Sequence, residues 1–188
     1  MRDGEDLSVN GAQSRRPLLS GVLLLLVVAV IAAAGATSLY RSLRGGAEAA
    51  QAEVGSLAPD ITVTDLEGRP VRLSDYRGQT VLLNFRTTWC GYCRAEVPEL
   101  QAAHDGIPDL AVLGVNIRES ASTVADYVEE LDITFLMLLD ESGQAAGAYE
   151  VRGIPKSFYI DERGRIFAEH LGPGTVDGIR AYLERKGG

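Results

Sequence analysis

The sequence predicts an α/β domain, a mixed sheet with helices on both faces, carried behind an N-terminal transmembrane helix. Three observations lead there. Strand-like and helix-like segments alternate from residue 54 onward, and a hairpin and a helix then close the chain. Two short, nearly continuous apolar runs, Val81–Phe85 and Leu110–Ile117, read as strands buried on both faces. Between Pro17 and Ala36 there is no charged residue; about 20 apolar residues in a helix span a ~30 Å hydrocarbon core.

The 188 residues suit one ordinary domain plus an appendage. Residues 1–17 are expected to be a cytoplasmic tail. Arg2, Arg15 and Arg16 precede the apolar run and Arg41 and Arg44 follow it, a slight bias toward an inside N-terminus. Residues 18–36 read as a single-pass anchor. Ala34-Gly35-Ala36 also fits a signal-peptidase site, although the run exceeds the usual signal core of about 7–15 residues. A buried core helix is the bland alternative, but such a helix seldom is apolar on every side. The anchor and the signal peptide both place the rest of the chain outside the cytoplasm. Residues 37–53 read as a tether, with some helix through Ala47–Glu53.

Residues 54–188 carry 13 basic and 21 acidic side chains, so the whole net charge of −8 belongs to this part. An acidic domain excludes nucleic acid as the main partner, since phosphates need a basic face, and excludes a polybasic membrane surface. Ile61–Val63 and Val71–Leu73 alternate around Glu67-Gly68, as a β-hairpin does. After the strand Val81–Phe85, a helix is expected from Cys90 toward His104, kinked at Pro98. The strand Leu110–Ile117 follows. Thr123–Leu131 has helical spacing at Val124, Tyr127, Val128 and Leu131. Phe135–Leu139 reads as a strand and Ser142–Tyr149 as a short helix. Ser157–Ile160 and Arg165–His170 pair across Asp161-Glu162-Arg163-Gly164, and Val176–Leu183 is the closing helix.

Both cysteines of the chain lie in Trp89-Cys90-Gly91-Tyr92-Cys93. Two cysteines build neither a stapled scaffold nor a four-ligand zinc site. His104 and His170 lack ligand spacing, and a structural disulfide closing so small a loop constrains the unfolded chain little. At a helix start, this spacing brings the sulfurs within disulfide reach. The first sulfur then lies beyond the helix N-terminus, where free N–H groups favour a thiolate, so Cys90 is the expected nucleophile. Cys93, inside the helix and less exposed, suits the resolving role. The redox-active group is then the Cys90–Cys93 pair itself, with no cofactor and no metal.

The run Asn84-Phe85-Arg86-Thr87-Thr88-Trp89-Cys90-Gly91-Tyr92-Cys93-Arg94-Ala95-Glu96-Val97-Pro98-Glu99-Leu100 resembles the active-site segment of TlpA/ResA-like thiol-disulfide oxidoreductases of the thioredoxin superfamily. Tyr149–Asp161 resembles the segment carrying that superfamily's cis-proline, and Leu57–Gly78 resembles its N-terminal hairpin. The resemblance covers about residues 55–185. It implies a thioredoxin-like fold with a hairpin extension and a membrane-anchored, extracytoplasmic reductase at the bacterial cytoplasmic membrane. It implies protein disulfides as substrates, often in cytochrome c maturation, and a membrane electron donor for re-reduction.

The resemblance also assigns roles. Cys90 matches the nucleophile, Cys93 the resolving thiol, and Glu96 a glutamate following the motif. Cys93 and Glu96 are i and i+3, so this carboxylate is placed to tune the cysteines or relay a proton; a solvated helix-surface glutamate is the alternative. Thioredoxins have an aspartate where this chain has Asn84. Pro155 matches the cis-proline, which leaves the Ile154 backbone free to pair with a substrate peptide; a plain loop proline is the alternative. Trp89 is expected beside the disulfide as part of the docking surface, or else in the core. Tyr92 stands where the family often has proline. Arg86 replaces a common aromatic, and Lys156 a small hydroxyl residue. Either cation stabilises the Cys90 thiolate or steers an acidic partner, or both form surface salt bridges.

Two other functions stay open. Thr87 precedes Cys90 by three residues, as in peroxiredoxins, although Leu83 stands where those peroxidases have proline. A copper-delivery module would need Met137 and His170 brought together.

Overall fold

The computed structural model describes Ile31 and residues 52–187. The expected tail 1–17, the anchor 18–36 (Ile31 apart) and most of the tether 37–53 lie outside the described residues. The chain divides into Met1–Glu48 and Ala49–Gly188. Of the first unit Ile31 alone is described, helical and exposed; everything below concerns the second. Among the described residues no helix is long and apolar enough to cross a membrane.

Seven strands form one sheet, β1 (Thr62–Asp65), β2 (Pro70–Arg72), β3 (Thr80–Arg86), β4 (Leu110–Ile117), β5 (Leu136–Asp140), β6 (Lys156–Ile160) and β7 (Ile166–Leu171), in the order β2-β1-β5-β4-β3-β6-β7. β3, β4 and β5 are parallel neighbours, while β1, β2, β6 and β7 pair antiparallel. The expected N-terminal hairpin is therefore a sheet extension: β1 pairs with β5 through Thr64 and Asp65. Its turn is held by Asp65, whose Oδ1 accepts the Glu67 and Arg69 amides at 3.0 and 2.8 Å.

The helices are α1 (Gly91–Ala95), α2 (Val97–Gly106), α3 (Ala121–Glu130), α4 (Gln144–Ala148) and α5 (Val176–Glu184). The expected single kinked helix is two helices. Pro98 has no N–H to give the Arg94 carbonyl, and the Glu96 amide closes α1 on the Tyr92 carbonyl at 3.2 Å. Glu96 thus ends α1 and begins α2.

β3 decides where the site lies. All seven of its residues are buried, and side chains alternate between the two faces. Val81, Leu83 and Phe85 join one core with Ala145, Ala146 and Tyr149 of the α4 region. Leu82 joins the other, with Leu100 of α2, Val124 and Tyr127 of α3, and Ile179 of α5. Asn84 and Arg86 share the parity of Leu82, so they point beneath the helices that carry the cysteines.

Gly114 on β4 gives this layer room. A Cβ there meets Met137 Sδ at 2.6 Å and Phe135 Cε2 at 3.2 Å. Gly114→Ala is expected to destabilise the fold by about 1–3 kcal/mol through overpacking, read as a lower midpoint at unchanged m-value in urea unfolding.

Candidate active site

β3 runs into Thr87 and Thr88, and the chain turns into α1 at Cys90. Cys90 is the N-cap of α1, with extended backbone, and its Sγ accepts the Cys93 amide at 3.2 Å. Both cysteines are free thiols, Cys90 at 7% exposure and Cys93 at 0%. The expected difference in exposure is present, though Cys90 too is largely covered. Burial and then the contact with Cys90 push the Cys93 thiol up to about 12, against the Thr87 amide and the Arg86 guanidinium.

Glu96 is a buried carboxyl at 1% exposure, not a solvated helix-surface residue. It shares the buried side of the helix with Cys93, three residues before it. Asn84 Nδ2 donates to Oε1 at 2.9 Å and the Gly174 amide to Oε2 at 3.2 Å. Burial raises the carboxyl above its ordinary range, and these two donors and Arg86 pull the other way. Asn84 also donates to Ser157 Oγ at 3.1 Å, which ties the site to β6.

Arg86 departs from two of the three readings made of it. Its side chain is fully buried, so it neither steers a partner nor forms a surface salt bridge. Nη2 donates to the Cys93 carbonyl at 2.7 Å and to Tyr127 Oη at 2.5 Å. Lys156 does pair at the surface, with Glu169 Oε1 at 3.1 Å, and lies 5.2 Å from the Phe158 ring centre.

Trp89 is 74% exposed and Tyr92 71%. A core role for Trp89 is therefore overturned, and both rings flank the cysteines at the surface. The Ile154–Pro155 peptide is cis. The register sets Lys156 opposite Phe85 and Ser157 opposite Asn84, so Pro155 sits at the end of β3 that leads to Cys90. Its carbonyl accepts the Gly172 amide at 2.8 Å. Met137 and His170 are not brought together: β4, β3 and β6 lie between their strands, about 19 Å at the usual strand spacing. The copper-binding pair is thereby overturned.

Sequence reasoning missed Glu119. Its carboxylate accepts the Thr88 amide at 2.9 Å, the Thr88 hydroxyl at 2.6 Å and Asn116 Nδ2 at 2.8 Å. It clamps the loop that delivers Cys90, yet nothing in its sequence neighbourhood announces this. Glu119→Ala leaves the buried Asn116 amide unpaired. The expected cost is about 1–3 kcal/mol, read by chemical denaturation, together with faster hydrogen exchange at the Thr88 amide. Gly174 was missed for the same reason; the fold alone carries its loop to Glu96. Arg86 and Asn84 did leave a signal, their even parity along β3.

The model of a family described as AhpC/TSA matches residues 54–168. The chain belongs to the AhpC/TSA family. Within it, the chain is 33% identical to the thiol-disulfide oxidoreductase ResA of Geobacillus thermodenitrificans over 174 residues, 92% of this chain and 97% of that protein. Among solved structures it is similar to the thioredoxin domain of a Bacteroides vulgatus thiol-disulfide oxidoreductase. That likeness has a TM-score of 0.64 at 28% identity, over 71% of this chain and 96% of that one. It is also similar to StoA of Bacillus subtilis, TM-score 0.60 at 26% identity, over 68% and 98%. This AhpC/TSA member thus has the thioredoxin-like fold expected from residues 84–100 and 149–161, and it is a thiol-disulfide oxidoreductase.

Proposed function

We propose that the chain is an extracytoplasmic reductase of protein disulfides, held at the bacterial cytoplasmic membrane by residues 18–36 or exported after cleavage there. The observation that carries the exchange chemistry is the Cys90–Cys93 pair, a capping sulfur and a buried thiol joined by one N–H···S bond. The Cys90 thiolate attacks a substrate disulfide, a Cys90–substrate disulfide forms, and one substrate thiolate leaves. Cys93 gives its proton to the Glu96 carboxylate and attacks Cys90 Sγ. The Cys90–Cys93 bond forms and the second substrate thiolate leaves with the electron pair. Two electrons pass to the substrate, and a dithiol donor in the membrane restores the pair.

Exposed Trp89 and Tyr92, with the Ile154 backbone before Pro155, form the docking rim for an extended peptide. An apocytochrome c or its maturation partner is a substrate of this class. The test is the reduction potential of the full chain and its turnover of a protein disulfide with a dithiol regenerant. A potential near or below thioredoxin's, about −270 mV, fits a reductase. One near that of a strong oxidant, about −120 mV, reverses the direction. Peroxide consumption faster than disulfide reduction would move the function to a peroxidase.

A further inference from the structure

Arg86 is the largest fully buried side chain of the domain, and it sits under the cysteine helix. Among the described residues it makes no ion pair. Two neutral oxygens, the Cys93 carbonyl and Tyr127 Oη, take Nη2. Nε and Nη1 are buried with no hydrogen-bond partner among the described residues, and the guanidinium carbon lies 5.4 Å from the Tyr127 ring centre. A permanent cation in such a place is costly unless an anion forms beside it. The resolving step moves negative charge onto Cys93, the residue whose carbonyl Arg86 holds.

We propose that Arg86 is a positioning residue for the resolving half-reaction: its guanidinium holds the Cys93 turn from below and is the fixed positive charge against which the Cys93 sulfur becomes a thiolate. The inference rests on the roles of Cys90 and Cys93 given above. In the step concerned, the Cys93 proton goes to the Glu96 carboxylate. The Cys93 sulfur bonds to Cys90 Sγ, the Cys90–substrate bond breaks, and the substrate leaves as a thiolate. Negative charge is thus held at Cys93 or Glu96 until substrate departs, and Arg86 acts on both.

The groups around the cluster are few. Cys90 and Glu96 lie on the helix pair and Arg86 on β3. Tyr127 comes from α3, with Arg94 5.1 Å from its ring centre and paired to Glu130. His170 on β7 acts on Glu96, and Glu96 on Tyr159 of β6. From the sheet, Arg86 donates to the Cys93 carbonyl and the Thr87 amide acts on the Cys93 sulfur. Attack by Cys90 on substrate needs no charge at Cys93, so the two half-reactions respond differently to its removal.

Stopped-flow measurement on the full chain separates them, with a disulfide peptide whose leaving thiol is chromophoric. In Arg86→Met, formation of the mixed disulfide is expected to stay within about twofold of wild type. Its resolution is expected to slow about tenfold at neutral pH, with the pH midpoint of resolution moved up about one unit. Arg86→Lys, which keeps the charge, is expected to retain most of the rate and the midpoint. Tyr127→Phe removes an Nη2 partner without touching charge and leaves the midpoint in place. Resolution in Arg86→Met with the wild-type rate and midpoint overturns the proposal, as does a midpoint moved equally by Tyr127→Phe. Should Arg86→Met not fold, Arg86→Gln, which keeps a hydrogen-bond donor without the charge, replaces it: a midpoint moved up supports the proposal and a wild-type midpoint overturns it. Failure of the underlying roles looks different: Cys93→Ser then accumulates no mixed disulfide at all.

Discussion

Replacing Cys93 by serine is expected to turn the enzyme from a catalyst into a stoichiometric trap. Cys90 still attacks, but no second thiol is present to release the product. Turnover of a protein disulfide should fall by at least about 10³-fold, while a covalent complex appears that dithiothreitol dissolves. Cys90→Ser should lose turnover to the same degree and give no complex. The asymmetry follows from placement. Cys90 caps the helix at the mouth of the site, whereas Cys93 is wholly enclosed. The check is non-reducing electrophoresis beside a turnover assay. A trapped complex from Cys90→Ser, with none from Cys93→Ser, would exchange the two roles.

Glu96→Gln is the second large effect. As the proton acceptor in the resolving step, the carboxylate is worth about 10²-fold or more in that step. Its loss should appear as a slower, flatter pH profile of resolution. Stability adds an independent readout. Burial raises the Glu96 carboxyl, so the folded protein keeps this proton where the unfolded chain has released it. The stability this contributes is full at acid pH and is lost as pH rises from the ordinary carboxylate range through the raised folded value. Glutamine removes that dependence. It keeps an acceptor for Asn84, but sets an amide nitrogen, which cannot accept, against the Gly174 N–H, at about 1 kcal/mol. The variant should therefore be the less stable protein at acid pH and gain on wild type as pH rises. Parallel stability–pH curves for the two proteins would show that Glu96 does not titrate in the fold.

The frame was legible because its signals are local. β3 and β4 stand in the sequence as apolar runs, and the helices α3 and α5 as three-and-four spacings. Cys90, Cys93 and Glu96 announced themselves by spacing and resemblance. The surroundings were less legible because they are assembled across the sheet. Glu119 reaches back 31 residues to Thr88, and Gly174 meets Glu96 across 78. Arg86 misled for another reason. An arginine is usually exposed, and only its parity with Leu82 and Asn84 indicates that it lies inside. Pro98 was read as a kink because its ring and missing N–H act locally; that the disturbance becomes a break at Glu96 depends on where that carboxyl finds its partners.

That break has a mechanical meaning. α1 is a five-residue plate, and α2 behind it is anchored by buried Val97, Leu100 and Ala103. The Cys90–Cys93 pair lies wholly within the plate and its N-cap, so making and breaking that bond involves no residue of α2. The carboxyl at the junction is pinned by Asn84 and the Gly174 amide. Reactive sulfur and load-carrying apolar side chains thus occupy separate helices.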